Sequence, residues 1–263
     1  MPTQSVRFDN GPKLYPFKTD LEYTLNTRVV VNSRRGLEVA TVRDTARGNS
    51  EHVGGEILRL ATPEDITRWT KLDSDANDLK WFLRAKAREY RLPIKVVALE
   101  FTLDGSNLTV SYSSEEKVEL RVLIQDLSSR SSAHIHFHAI GARDQARILG
   151  VLGVCGRENC SSHHLQEFTP VTIRMSRDQQ LPLNPEKISG PCGRLLCCLQ
   201  YEHEMYLDLL KNLPRKGAKV CSTEDESQCG KVMKINPLKQ SVEVKSDEGA
   251  WFEIAKEHLK SVR

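Results

Sequence analysis

The sequence predicts an α+β protein: a central α/β domain with a mostly antiparallel sheet, flanked by small β-rich, SH3-like units at the N- and C-terminal ends. Three observations predict it. Residues 62–92 repeat apolar side chains at three- and four-residue spacing, the period of a helix with one buried face. Residues 1–60 and the segment from about 217 onward instead carry short β-branched runs split by polar turns. Between them, strand-like and helix-like runs alternate, as in layered α and β architectures. The expected domains are 1–60, 61–213 and 214–263, which suits a chain of 263 residues. With 39% hydrophobic and 28% charged residues, the composition excludes disordered, collagenous and membrane-spanning classes. A net charge of +3 is too small to imply a nucleic-acid binder by itself. The start, MPTQSVRFDN, lacks the apolar core of a signal peptide, and no apolar run reaches the length of a membrane span, so a cytoplasmic protein is expected.

Each element follows from local chemistry. Val6 to Phe8 and Leu14 to Phe17 are β-prone runs separated by a DNGPK turn. Val29 to Val31, the Arg34-Arg35-Gly36 turn and Leu37 to Val42 form an antiparallel hairpin. The Gly-rich polar stretch 46–55 is a loop. Thr62 caps the helix that follows, Pro63 suits its first position, and Asp65 completes a capping box. Ile66, Trp69, Leu72, Ala76, Leu79, Leu83, Ala87 and Tyr90 form its apolar stripe, and Pro93 ends it. Ile94 to Leu103 and Leu108 to Tyr112 flank Asp104-Gly105 as a second hairpin. Ser113 to Ser129 reads as a helix with Ser113 and Glu116 as capping box, Ala133 to Ile140 as a strand, and Arg143-Asp144 as the start of another helix. From about 217, short strands and polar turns suggest a five-stranded SH3-like barrel.

The cysteines carry the sharpest signal. All seven lie between Cys155 and Cys229. Their odd number, in a chain read as cytoplasmic, argues against a disulfide framework. Cys155-Gly-Arg-Glu-Asn-Cys160 is repeated as Cys192-Gly-Arg-Leu-Leu-Cys197, followed by Cys198. Glycine after the first cysteine permits a tight turn that brings two thiolates of one loop together, and the arginine can balance thiolate charge. Paired motifs supply the four sulfurs that a structural zinc or an iron–sulfur cluster takes. The spacing departs from the common C-x-x-C knuckle and does not choose the metal. Buried structural thiols and thiol redox chemistry remain the other readings. Cys221 and Cys229 lie outside the motif and read as ordinary structural cysteines.

Residues 134–202 carry a resemblance to a known family. IGARDQAR (140–147), LGVCGRENC (152–160) and FTPVTIRMSRDQQLPLNPEKISGPCGRLLCCLQYE (168–202) are similar to the RicT/YaaT-like family of stage-zero sporulation proteins, defined by a polymerase-suppressor-type C-terminal domain. ATPEDI at the helix start and RGLEVATV in the early hairpin extend the likeness. The resemblance implies a non-enzymatic regulatory protein that acts with two small helical partners, RicA and RicF, in a complex carrying iron–sulfur clusters. That complex adjusts RNA processing and turnover by RNase Y. It implies Cys155, Cys160, Cys192, Cys197 and Cys198 as the ligand set. Ser161 stands where the family usually has a second adjacent cysteine, so the first motif offers two sulfurs rather than three. His163 or His164 could supply an imidazole in its place.

Other candidates are weaker. AHIHFHAI puts His134, His136 and His138 on one face of a strand. Imidazoles so arranged can bind metal, but a solvated face is the expectation. Arg157, Lys187 and Arg194 could contact phosphate or a partner carboxylate, with RNA among the partners they would suit. No GxSxG, Walker A, HExxH or dinucleotide fingerprint occurs. The alternatives to a regulatory metalloprotein are a zinc-stabilised nucleic-acid-binding module and a thiol redox sensor.

Overall fold

The computed structural model describes residues 3–9, 13–44, 53–165, 168–225 and 227–261. The chain divides into two compact units, Met1–Glu167 and Phe168–Arg263. The division falls between the two cysteine motifs, so each unit holds one. Most of the expected loop at 46–55 lies outside the described residues.

The first unit opens with five strands: β1 (Thr3–Arg7), β2 (Leu14–Lys18), β3 (Arg28–Ser33), β4 (Gly36–Asp44) and β5 (Gly55–Leu60). They close into a barrel in the order β1-β2-β5-β3-β4. Alternation turns Val6, Phe17, Val29, Val31, Val42 and Ile57 inward, so closure buries one face of every strand. Gly55 is required where β5 begins: its φ is +155°, and a Cβ there would lie 1.9 Å from the Asn32 carbonyl oxygen.

Helix α1 (Pro63–Glu89) begins as the sequence predicts. Thr62 Oγ1 accepts from the Asp65 N–H, and Asp65 accepts from the Thr62 N–H. Its end departs from expectation. Pro93 does not stop it; Arg91, at φ +52°, does. The Arg91 N–H donates to Arg88 O and the Leu92 N–H to Ala87 O, a Schellman closure built without glycine.

Strands β6 (Ile94–Phe101) and β7 (Asn107–Ser114) form the expected antiparallel hairpin, with Val97 as an extra residue between the pairs Val96–Tyr112 and Ala98–Ser111. Helix α2 (Arg121–Ser128) is shorter than the predicted 113–129. Ser113 and Ser114 belong to β7, where pairing with Lys95 and Ile94 holds them, so the Ser113 capping box does not form. Strand β8 (His134–Ala139) pairs parallel with β7. The sheet β6-β7-β8 is therefore mixed, not mostly antiparallel. One of its faces packs Val96, Leu99, Leu108 and Val110 against Leu83, Leu123 and Leu127 of the two helices. Burying each such leucine stabilises the fold by about 1.5–3 kcal/mol. Arg35, in the β3–β4 turn, pairs with both Glu38 and Glu100 and ties the barrel to the sheet. Helices α3 (Ala142–Leu149) and α4 (Cys160–His163) complete the unit.

The second unit contains α5 (Ile173–Asp178), α6 (Pro185–Ile188), α7 (Cys197–Tyr201) and α8 (His203–Leu210). They precede β9 (Lys219–Ser222), β10 (Cys229–Asn236), β11 (Ser241–Lys245), β12 (Trp251–Ala255) and β13 (Leu259–Ser261), arranged β12-β11-β10-β9-β13. Val220, Val232, Val242, Val244 and Ile254 form this sheet's core with Leu213. Cys221 and Cys229, read as ordinary structural cysteines, are joined in a disulfide, which corrects the expectation that the odd cysteine count drew against disulfides. The antiparallel register sets them directly opposite, with 4.0 Å between their Cα atoms. The remaining cysteines, outside any disulfide, are the five of the two motifs. Among the described residues, no helix is long and apolar enough to cross a membrane.

Candidate functional site

The two cysteine motifs fold into one loop, built twice. In the first, the Gly153 N–H donates to Arg157 O at 2.8 Å; in the second, the Gly190 N–H donates to Arg194 O at 2.7 Å. The Gly156 N–H returns to Gly153 O at 3.0 Å, and the Gly193 N–H to Gly190 O at 2.9 Å. Leu152 and Glu158 form an antiparallel bridge, as do Ser189 and Leu195. The Asn159 N–H reaches Val151 O, and the Leu196 N–H reaches Ile188 O. Each loop is thus a miniature hairpin whose turn carries the first cysteine.

Glycine serves two purposes in it. Gly156 and Gly193 have φ of +77° and +74°, a left-handed turn with open space where a Cβ would stand. Gly153 and Gly190 lie beneath the sulfur: a Cβ on them would come within 3.4 Å of Cys155 Sγ and 3.8 Å of Cys192 Sγ. The second cysteine of each motif, Cys160 or Cys197, is the first residue of a short helix, α4 or α7. The residues before them, Asn159 and Leu196, share nearly identical extended dihedrals, φ −56°, ψ 134° and φ −55°, ψ 130°. Each loop therefore presents one sulfur from a tight turn and one from a helix start, on a backbone fixed by its own hydrogen bonds.

A side chain from upstream holds the short helical turn that follows each loop. In the first unit, Arg147 of α3 donates from Nε to Ser161 O and from Nη2 to Leu165 O. In the second, Gln179, just past α5, donates from Nε2 to Leu199 O at 2.5 Å. Neither Arg147 nor Gln179 is singled out by sequence reasoning; no periodicity marks a side chain whose partner is a distant carbonyl. The two glycines before the cysteines are legible, since the repeat extends to G-x-C-G-R-x-x-C at the same offset.

Ser161 and Cys198 occupy corresponding positions. Ser161 is fully buried, and its Oγ accepts from Asn159 Nδ2 at 2.7 Å. Where the second loop has the Cys198 sulfur, the first thus has an internal hydrogen bond. His163 and His164 are exposed and pack edge to face, ring centroids 5.8 Å apart. Arg157 and Arg194 are exposed at equivalent loop positions, and Lys187 is exposed on α6. His134, His136 and His138 lie on the exposed face of β8, opposite the half-buried Ile135 and Phe137, in register with Asn107, Thr109 and Ser111. Among the described residues, no three His, Cys, Asp or Glu side chains are gathered about one point as a metal ion would require. The donors instead come as two pairs, one per loop.

The comparisons with known proteins cover nearly the whole chain. Residues 55–140 match the PSP1 C-terminal conserved region, and residues 170–213 match the third domain of PSP1-like proteins. The Stage 0 sporulation protein YaaT of Bacillus subtilis is 32% identical over 98% of this chain and 97% of its own length. An uncharacterised protein of Schizosaccharomyces pombe is 30% identical over 27% of this chain and 10% of its own length. No solved structure matches.

Proposed function

The chain belongs to the family of the Stage 0 sporulation protein YaaT, and from that premise we propose that it is a non-catalytic regulatory protein whose duplicated cysteine loops hold an iron–sulfur cluster or a metal. The observation that carries this reading is the repeat itself. Two loops with the same hydrogen bonds, the same left-handed glycine and a glycine beneath the first sulfur each present a pair of cysteines. Two like turns, each carrying two thiols, offer four thiolates, the number that a structural zinc or an iron–sulfur cluster takes.

The donor chemistry fits. Cys155 and Cys160 are one pair, Cys192 and Cys197 the other, and Cys198 is a fifth sulfur beside the second. Thiolates take zinc and iron–sulfur clusters alike. A bound cluster would supply charge and a redox-sensitive group. The protein's own residues do the rest. The loops fix the cysteine backbones before any ligand arrives, and Arg147 and Gln179 hold the adjoining helical turns. Ser161, already satisfied by Asn159, is not a ligand in this reading. His163 and His164 remain the candidates for an added imidazole. The partners that fit a regulator of this family are the RicA- and RicF-like helical proteins, with RNase Y-dependent RNA processing as the process modulated.

Anaerobic purification, alone and with copurifying proteins, tests the proposal. The expected result is a brown protein containing iron and acid-labile sulfide, with both lost in Cys192→Ser. A colourless protein with zinc bound through the same cysteines would select the zinc-stabilised nucleic-acid module. Absence of any metal, together with a Cys192→Ser variant that folds and retains its partners, would overturn ligation.

A further inference from the structure

Outside the cysteine loops, the first unit contains a cavity of about 300 Å³ between the last turns of α1, the start of β6 and helix α3. That volume lies at the low end of the range for small-ligand sites. It opens where the sheet is irregular. Strand β6 is an edge strand, and its bulge at Val97 interrupts the ladder. Bulges recur beside binding sites because they re-aim side chains.

The lining has two characters. Ala87, Leu92, Ile94, Val96 and Val97 make an apolar floor. Arg84, Arg88 and Lys95 supply three cationic side chains, and among the described residues no aspartate or glutamate lines the cavity. Arg88 and Lys95 are exposed and join no ion pair among the described residues. Arg84 is fixed: Nε and Nη2 both donate to Val96 O, at 3.0 and 2.8 Å, and its guanidinium lies 5.3 Å from the Trp81 ring. Lys80, one turn before Arg84, is held below the ordinary lysine range by burial and then by the Arg84 charge, with Asp73 offsetting part of this. Like charges at i and i+4 cost stability unless something answers them. A neutral amide completes the lining. Gln145 Oε1 accepts from Ser113 Oγ at 2.8 Å, which orients the amide and leaves Nε2 to donate.

We propose that this cavity binds a nucleotide, with its base on the apolar floor beside the Gln145 amide and its phosphate on Arg88 and Lys95. A simple anion would not need the floor, and an apolar ligand would not need three cations. A planar ring joined to a phosphate uses both. The nucleotide can be free or one unit of a single-stranded RNA, since the recognised chemistry is shared. The site is independent of the cysteine loops and of any metal on them.

Calorimetric titration of the full chain with AMP, ATP, a short single-stranded oligouridylate and inorganic phosphate tests it. The expected result is saturable binding of nucleotide or oligomer that weakens with added salt. Arg88→Gln combined with Lys95→Gln should raise Kd about tenfold or more, about 1.4 kcal/mol, with unchanged circular dichroism and Tm. Lys95→Gln alone, on an exposed strand position, should show a smaller rise of the same kind. Gln145→Leu should weaken AMP and leave phosphate unchanged. An oligomer bound at least about tenfold more tightly than AMP identifies RNA as the source; equal or tighter AMP identifies the free nucleotide. Failure of both to saturate by about 1 mM would overturn the proposal. So would phosphate binding as tightly as AMP, or binding unaffected by the folded double variant.

Discussion

Arg147 reaches across from α3 to hold the carbonyl oxygen of Ser161 at 3.0 Å, the residue that follows the second cysteine of the first loop. The same guanidinium takes Leu165 O at 3.1 Å, so one side chain satisfies two carbonyls at the end of a four-residue helix. A helix that short has no intrinsic stability and exists because something outside it accepts the cost of ordering. Arg147→Ala should therefore release the turn. Charge-assisted hydrogen bonds are worth about 1.5–3 kcal/mol when buried. Amide exchange at residues 160–165 should accelerate by about tenfold or more while the barrel amides stay protected. Equal acceleration in both places would show that Arg147 supports the whole unit rather than the loop.

The loop glycines should differ sharply from Gly55. At Gly156 and Gly193 a Cβ meets nothing within 4 Å, so the penalty for alanine is conformational only, about 1–2 kcal/mol. Asparagine, more tolerant of left-handed backbone, should cost less. At Gly55 a Cβ meets the Asn32 carbonyl at 1.9 Å, and the barrel cannot close around it. Thermal unfolding of the three alanine variants should rank Gly55→Ala as far the most damaging. A Gly55→Ala variant as stable as the parent would refute the tight β3–β5 contact.

Acid should act on the start of α1. Asp65 is held well below the ordinary carboxylate range, first by Arg59 and then by the Thr62 backbone N–H. A depressed pKa contributes stability that is complete above the unfolded value, about 3.9, and is lost as pH falls below it. Asp65→Asn should thus lower Tm at neutral pH, and the gap from the parent should narrow as pH drops below about 4. A gap that stays constant down to pH 2 would mean that the capping hydrogen bonds, not the charge, carry the effect.

Reduction should be felt in the C-terminal sheet. The disulfide joins β9 and β10 across a sequence separation of eight. For a loop that short, chain-entropy arguments give about 2.5 kcal/mol. Cys221→Ser with Cys229→Ser should lower the unfolding temperature of this sheet and leave the barrel of the first unit unaffected. Any metal held on the proposed cysteine loops should be unchanged, because neither cysteine belongs to them.

Legibility followed the range of the interaction. Thr62 and Asp65 sit three residues apart, and their capping box could be read directly. The His134, His136 and His138 face was equally readable, because strand alternation is a local rule. Ser113 was misread for the opposite reason. Its local pattern suits a cap, but pairing with Lys95 keeps it in β7. Alternation carries no information on direction, but the strand–helix–strand order over 107–139 does: a helical crossover is how parallel neighbours are joined, and β8 pairs parallel with β7. The Cys221–Cys229 bridge could not be foreseen, because it depends on register. In the candidate site, the cysteines and left-handed glycines were visible as a repeated motif. Arg147 and Gln179 were not, since each acts on a carbonyl 14 or 20 residues away.

The bonds that shape each cysteine loop close within about nine residues, from Val151 to Asn159 and from Ile188 to Leu196. A loop so local needs no residue beyond its own span to make those bonds. The first copy emerges 37 residues ahead of the second. At about 5–20 residues per second, that is an interval of about 2–7 seconds. During it, the nascent chain carries Cys155 and Cys160 while their counterparts have yet to be made. Translation order therefore gives the two loops unequal histories: Cys155 and Cys160 exist through an interval in which Cys192, Cys197 and Cys198 do not.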